Sequence, residues 1–228
     1  VAIFRELGDC EGLGDALDRL AQCAYYAGDL SRAIGLHEEV LALRRESGDL
    51  WLIGSTLNNL GVAIHENGDP ERALPLIAEA VALVGQVGNT LMRARMQLNL
   101  GSVQMSLGNV ARAAEWYAHS LALSWSCNDL FAIGWLLRAI ATLLIPSNPA
   151  QAARLFGKAA ALVGQDDWQL PPFDRQRLDT ALDELRARLD PATHTLAWQT
   201  GALADLAAIV AEAAQGAAVL SRLAPPAG

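Results

Sequence analysis

Leu57-Asn58-Asn59-Leu60-Gly61 and, a little further on, Gly68-Asp69-Pro70-Glu71-Arg72-Ala73 read as a helix, a tight turn and the start of a second helix. The pattern returns as Leu98-Asn99-Leu100-Gly101 and Gly108-Asn109-Val110-Ala111-Arg112-Ala113, with Gly101 answering Gly61 and Gly108 answering Gly68. At the same offset backwards stand Leu20-Ala21 and Gly28-Asp29-Leu30-Ser31-Arg32-Ala33. At the same offset beyond the third copy come Ile140-Ala141 and the turn Pro146-Ser147-Asn148-Pro149. A second set of turn signals falls midway, at Gly8-Asp9, Gly48-Asp49, Gly88-Asn89 and Asn128-Asp129. Two interleaved turn series with a single period specify an array of helix pairs, each packing mainly on its neighbours.

The residues around the turns fit that reading. A small residue must stand where the two helices of a pair cross closely, and Ala21, Gly61, Gly101 and Ala141 fill that place at 40-residue intervals. Ala33, Ala73, Ala113 and, with one residue deleted from the last turn, Ala152 let the return helix approach. Leu20, Leu60, Leu100 and Ile140 are placed to fill the grooves between repeats. Glycine inside a helix costs about 0.8–1.0 kcal/mol relative to alanine, so Gly61 and Gly101 imply a packing reason. Asp29 or Ser31 can cap the second helix of the first pair. Pro70 suits a first helical turn, whereas Pro75, further in, is expected to kink its helix.

At these residues the chain resembles tetratricopeptide repeats, whose signature runs W-x2-L-G-x2-Y and then Ala, an aromatic and Ala. In the second pair it maps to Leu57, Leu60, Gly61, Ile64, Ala73, Ile77 and Ala80; in the third, to Gln97, Leu100, Gly101, Gln104, Ala113, Tyr117 and Ser120. The Trp and the terminal Pro are missing, and the spacing from Gly61 to Gly101 is longer than the tetratricopeptide period of about 34. The resemblance implies an all-α, right-handed solenoid of antiparallel helix pairs over residues 1–164. A helical cap is expected over 165–215 and a flexible Pro/Ala tail over 216–228. Within the cap, helices are expected from Phe173 to Leu189, from Pro191 to about Thr200 and from Ala204 to Ala214.

A second resemblance covers the tail. Ala152-Ala153-Arg154-Leu155-Phe156-Gly157-Lys158-Ala159, Leu170-Pro171-Pro172, Ala187-Arg188-Leu189 and Ala197-Trp198-Gln199-Thr200-Gly201 are similar to the C-terminal end of bacterial STAND-type multidomain ATPases. These include LuxR-type and AfsR-like transcriptional regulators and cyclase-fused ATPases. The resemblance implies a sensor or scaffold region that passes a binding event to an ATPase and output domain outside this chain. ATP is then expected only in an upstream domain, and no cofactor is expected in this chain. The lack of an initiator Met and an opening inside a helix agree with a piece of a longer polypeptide.

Composition narrows the function classes. The chain has 228 residues, is 52% hydrophobic and 18% charged, and carries a net charge of −8. Lys158 is its single lysine, and no basic stripe offers a grip on a phosphate backbone. The apolar stretch Leu130 to Ile145 is broken by Arg138 and too short to span a bilayer comfortably. Cys10, Cys23 and Cys127 are odd in number and lack C-x-x-C spacing, so a reduced, cytoplasmic setting is expected, with the cysteines packed inertly.

Catalytic patterns are missing. Gly157-Lys158 is followed by Ala159 and has Ala152 where a phosphate loop needs its leading Gly. His37, His65, His119 and His194 lack partners at metal-ligand spacing and read as solvated helix residues. Asp166-Asp167 reads as a solvated pair in a polar linker. The tryptophans Trp51, Trp116, Trp125, Trp168 and Trp198 read as core or inter-helix filler, with Trp135 as the exception.

In tetratricopeptide arrays the first helix of each pair lines a concave groove that takes peptides or partner segments. The register implied by the resemblance places Gln22, Tyr25, Asn58, Asn59, His65, Arg95, Asn99, Trp135 and Arg138 there. Such side chains can hydrogen-bond an extended backbone or a carboxylate, or can simply satisfy neighbouring helices. The expected partners are a protein, a peptide or a small effector, with no metal. A sensor region of a regulator and a free-standing adaptor are the two readings; an enzyme has no residue in its favour.

Overall fold

The structure is a computed structural model that describes residues 1–163 and 172–222. These form α1 (Ala2–Leu7), α2 (Cys10–Tyr26), α3 (Leu30–Ser47), α4 (Leu50–Glu66), α5 (Pro70–Val87) and α6 (Thr90–Ser106). After them come α7 (Val110–Ser126), α8 (Leu130–Leu144), α9 (Pro149–Val163), α10 (Pro172–Arg188), α11 (Pro191–Leu203) and α12 (Leu206–Ser221). No strand occurs among the described residues. The chain divides into two compact units, Val1–Val103 and Gln104–Gly228.

The turn chemistry explains the regular spacing. Gly8, Gly28, Gly48, Gly68, Gly88 and Gly108 all have positive φ, and Asn128 takes the same left-handed role at φ 54°. That conformation closes the preceding helix, and only Gly and, less readily, Asn adopt it cheaply. The next residue then caps the following helix. Asp29 accepts from the Arg32 N–H at 3.2 Å, Asp49 from Leu52 at 3.0 Å and Asp69 from Arg72 at 3.0 Å. Asn89 and Asp129 do the same for Met92 and Ala132. Asn109 departs from the pattern: its amide donates to Gln104 Oε1 instead.

In the first unit α1 packs on α2, and α2 with α3, α3 with α4, and α4 with α5 form successive neighbours. Ala21, Ala33, Ala63, Ala73 and Ala80 are wholly buried, and Leu57, Ile64 and Ile77 fill the space beside them. Each such Leu or Ile contributes about 1.5–3 kcal/mol relative to exposure. Gly61 has its packing reason: a Cβ there would lie 2.5 Å from Ile77 Cγ1. Pro75 sits within α5, yet the helix runs on through it to Val87. At that position only the bond to the Glu71 carbonyl is lost.

In the second unit α7 packs on α8 and α8 on α9, and α11 lies along α9. Gly157 and Gly201 permit that last approach, since a Cβ would stand 2.2 Å from Trp198 O or 2.0 Å from Arg154 O. Phe156 and Trp198 stack with centroids 6.5 Å apart, and Lys158 Nζ donates to Ala202 O at 2.9 Å. The two short motifs near residues 157 and 201 therefore meet as a helix crossing. α12 folds back on α7, α8 and α9, tied by the Arg154–Glu212 pair at 3.0 Å.

Several expectations need correction. The last helix does not end at Ala214: α12 continues to Ser221 and buries Gly216, Ala217 and Leu220, so the tail expected from residue 216 is helical to 221. The three cysteines are exposed, because Cys10 opens α2, Cys127 closes α7 and Cys23 faces outward. Trp51 and Trp125 are exposed near helix ends rather than filling the core. Leu20 is exposed, unlike Leu60, Leu100 and Ile140. His37 and His65 are buried, not solvated. Asp166-Asp167, Trp168 and the linker before Pro172 lie outside the described residues.

Candidate functional site

The first helix of each pair presents its polar residues on one side because its other face is taken by Ala, Gly and Leu. On α2 this leaves Gln22 and Tyr25, on α4 Asn58 and Asn59, and on α6 Asn99. These five converge on one recess of about 260 Å³ in the first unit, with Tyr26, His37 and Val62 completing its wall. The asparagines are linked in series across α4 and α6. Asn99 Nδ2 donates to Asn58 Oδ1 at 2.9 Å, and Asn58 Nδ2 donates to Asn59 Oδ1 at 3.3 Å. They therefore hydrogen-bond one another and also line the recess. Tyr25 and Tyr26 meet edge to face with centroids 5.5 Å apart.

The remaining predicted residues lie elsewhere. His65 is buried on α4, its Nδ1 3.4 Å from Glu66 Oε1, and Arg95 is exposed on α6; neither lines the recess. Trp135 and Arg138 belong to the second unit, where the Arg138 guanidinium sits 5.6 Å from the Trp135 ring centroid. Arg138 is 8% exposed, so its role there is largely internal. Phe131 packs edge-on against Trp135 at 6.2 Å.

Sequence reasoning missed His37. It stands on α3 one repeat before Ile77 and two before Tyr117, both buried core positions. That break in an otherwise apolar register was the available signal. Its Nδ1 lies 3.4 Å from Asp18 Oδ1, an ion-pair distance that is long for a hydrogen bond. Asp18 also accepts from Gln22 Nε2 at 3.1 Å, and its second neighbour is Arg44 at 3.9 Å. Burial alone pushes the Asp18 carboxyl up, but His37, the Arg44 charge and Gln22 outweigh it and hold the group below its ordinary 3.8. Arg44 is itself buried and donates to Thr56 Oγ1 at 2.7 Å, with Asp15 at 3.3 Å. The Asp18 carboxyl is thus held toward its ionised form.

Among the described residues no Lys or Arg lines the recess, and those that line it offer amide and phenol hydrogen bonds together with aromatic and aliphatic surface. Among the described residues no group of three His, Cys, Asp or Glu could hold a metal ion. Among them, too, no helix is long and apolar enough to cross a membrane.

Comparison with known proteins bears on the fold. One tetratricopeptide repeat family model matches residues 52–126, and a second tetratricopeptide repeat model matches residues 16–50. Among curated proteins none matches the chain. Solved structures are similar to the chain, among them these two. One is a putative kinesin light chain of Podosopora anserina with nearly identical TPR-like repeats, 18% identical, with TM-score 0.51 over 76% of this chain and 93% of that one. The other is BtubC (BKLC) from P. vanneervenii, 17% identical, with TM-score 0.58 over 100% of this chain and 96% of that one. At such identities the likeness shows the fold alone. Residues 16–50 and 52–126 carry tetratricopeptide repeats in a TPR-like helical-repeat fold, the architecture of a protein–protein interaction scaffold.

Proposed function

We propose that this chain is a non-catalytic docking scaffold whose first unit holds a segment of a partner protein along α2, α4 and α6. One observation carries the reading: Gln22, Tyr25, Asn58, Asn59 and Asn99, from three helices, converge on a single recess. An extended segment brings unpaired backbone N–H and C=O groups, and amide side chains supply both donors and acceptors for them. Because no Lys or Arg is among the described residues that line the recess, backbone and neutral side chains suit it better than a terminal carboxylate.

The wider setting proposed is the cytoplasmic, C-terminal repeat region of a signal-transducing STAND-type ATPase regulator of transcription. Support comes from the similarity around Leu155-Phe156-Gly157-Lys158 and Trp198-Gln199-Thr200-Gly201. In that setting the ATPase domain is a second, intramolecular partner. A free-standing adaptor is the other reading, and upstream Walker motifs in the parental reading frame separate the two.

The docking claim is tested with a random peptide display library selected on the immobilised chain. Selected peptides are expected to lose about tenfold or more in affinity for an Asn58→Ala/Asn99→Ala variant, the worth of one or two hydrogen bonds to a desolvated site. Undiminished affinity for that variant contradicts the proposal.

A further inference from the structure

We propose that the recess takes the phenol ring of a tyrosine side chain from the docked segment, its hydroxyl donating to Nε2 of His37. The inference rests on the docking reading above and deepens it by naming the side chain recognised. Three features of the recess lead to it.

The first is His37 itself. An imidazole stands where the repeat elsewhere places Ile77 and Tyr117, and it is only 2% exposed. Its Nδ1 lies 3.4 Å from Asp18 Oδ1 with no hydrogen bond between them, and in the neutral ring the carboxylate charge favours the proton on that nitrogen. The other ring nitrogen then carries a lone pair, and His37 is part of the recess wall.

The second is the apolar wall. Tyr25 and Tyr26, edge to face, together with Val62 give the recess aromatic and aliphatic surface that suits a ring better than an alkylammonium or a carboxylate. At about 260 Å³ the space falls below the roughly 300–1,000 Å³ of drug-sized sites, which suits a single side chain.

The third is the amide series. Asn58 and Asn99 each spend one amide N–H on the neighbouring asparagine, and an amide nitrogen has two. A phenol needs an acceptor for its proton and a donor for its oxygen, and the recess supplies both. An indole donates only, and a phosphorylated tyrosine brings a dianion to a wall whose described residues include no Lys or Arg.

The test uses the 228-residue chain and three small probes followed by backbone-amide NMR shifts: p-cresol, p-methylanisole and p-tolyl phosphate. p-Cresol is expected to shift Tyr25, Asn58 and Asn59 and to bind about fivefold tighter than either other probe, as one neutral hydrogen bond allows. His37→Ile installs the residue the next repeat carries, and it is expected to bring the cresol-to-anisole ratio to about one. The ratio in the unsubstituted chain decides the matter without any variant. Equal binding of cresol and anisole, tighter binding of the phosphate, or shifts confined to other residues overturns the inference. If selected peptides bind at the recess while cresol shows no preference, this inference alone fails. If neither binds there, the docking reading fails with it.

Discussion

Gly61 and Gly35 are both helical glycines, and their surroundings assign them opposite effects. A Cβ on Gly61 would meet Ile77 Cγ1 at 2.5 Å, whereas one on Gly35 would meet nothing within 4 Å. Overpacking a well-filled crossing costs about 1–3 kcal/mol, and removing a helical glycine returns about 0.8–1.0 kcal/mol. Gly61→Ala is therefore expected to lower the urea midpoint, and Gly35→Ala to raise it. Asp18 adds a pH dependence at the same scale. Its carboxyl is held below the ordinary 3.8, so its contribution is complete above that value and is lost as pH falls through the lower folded value. Asp18→Asn is expected to reduce stability at neutral pH and to make the further loss between pH 7 and about 3 shallower than in the unsubstituted chain, read by urea unfolding at both pH values.

The repeating element is a helix closed by a left-handed residue and followed by an aspartate or asparagine cap. Asp69→Ala removes the acceptor for the Arg72 N–H and is expected to cost about 1 kcal/mol in unfolding free energy. This level was legible in the sequence, because Gly68-Asp69 and its relatives state the turn geometry locally. The turn residues Gly28, Gly48, Gly68, Gly88 and Gly108 read from the sequence all take the left-handed conformation. What the sequence withheld were features decided by non-local packing. His37 looked like any solvated helix residue until α2 and α4 closed over it. α12 looked finished at Ala214, because an Ala-rich stretch carries no sign of the α7 and α8 surface that buries Ala217 and Leu220. The nine predicted inner-face residues shared a register, but a register names a face and not a cavity; only five of them line the recess.

At the scale of the molecule, the second unit has its own closing device. In the second unit α12 covers α7 and α8 and is held by Arg154 and Glu212. A chain ending at Leu203 would expose those faces, and it is expected to bind a hydrophobic dye and to unfold less cooperatively, seen in the fluorescence and in the slope of urea unfolding. In the first unit the packing leaves the recess open, and the claim that it docks a partner segment is the centre of the account. Hydrogen exchange of the whole chain, with and without a display-selected peptide, tests it most directly. Docking is expected to slow exchange in α2 around Gln22 to Tyr26, in α4 around Asn58 to Val62 and in α6 around Asn99. Protection confined to α3, α5 or the second unit, with those three helix segments unchanged, would contradict it.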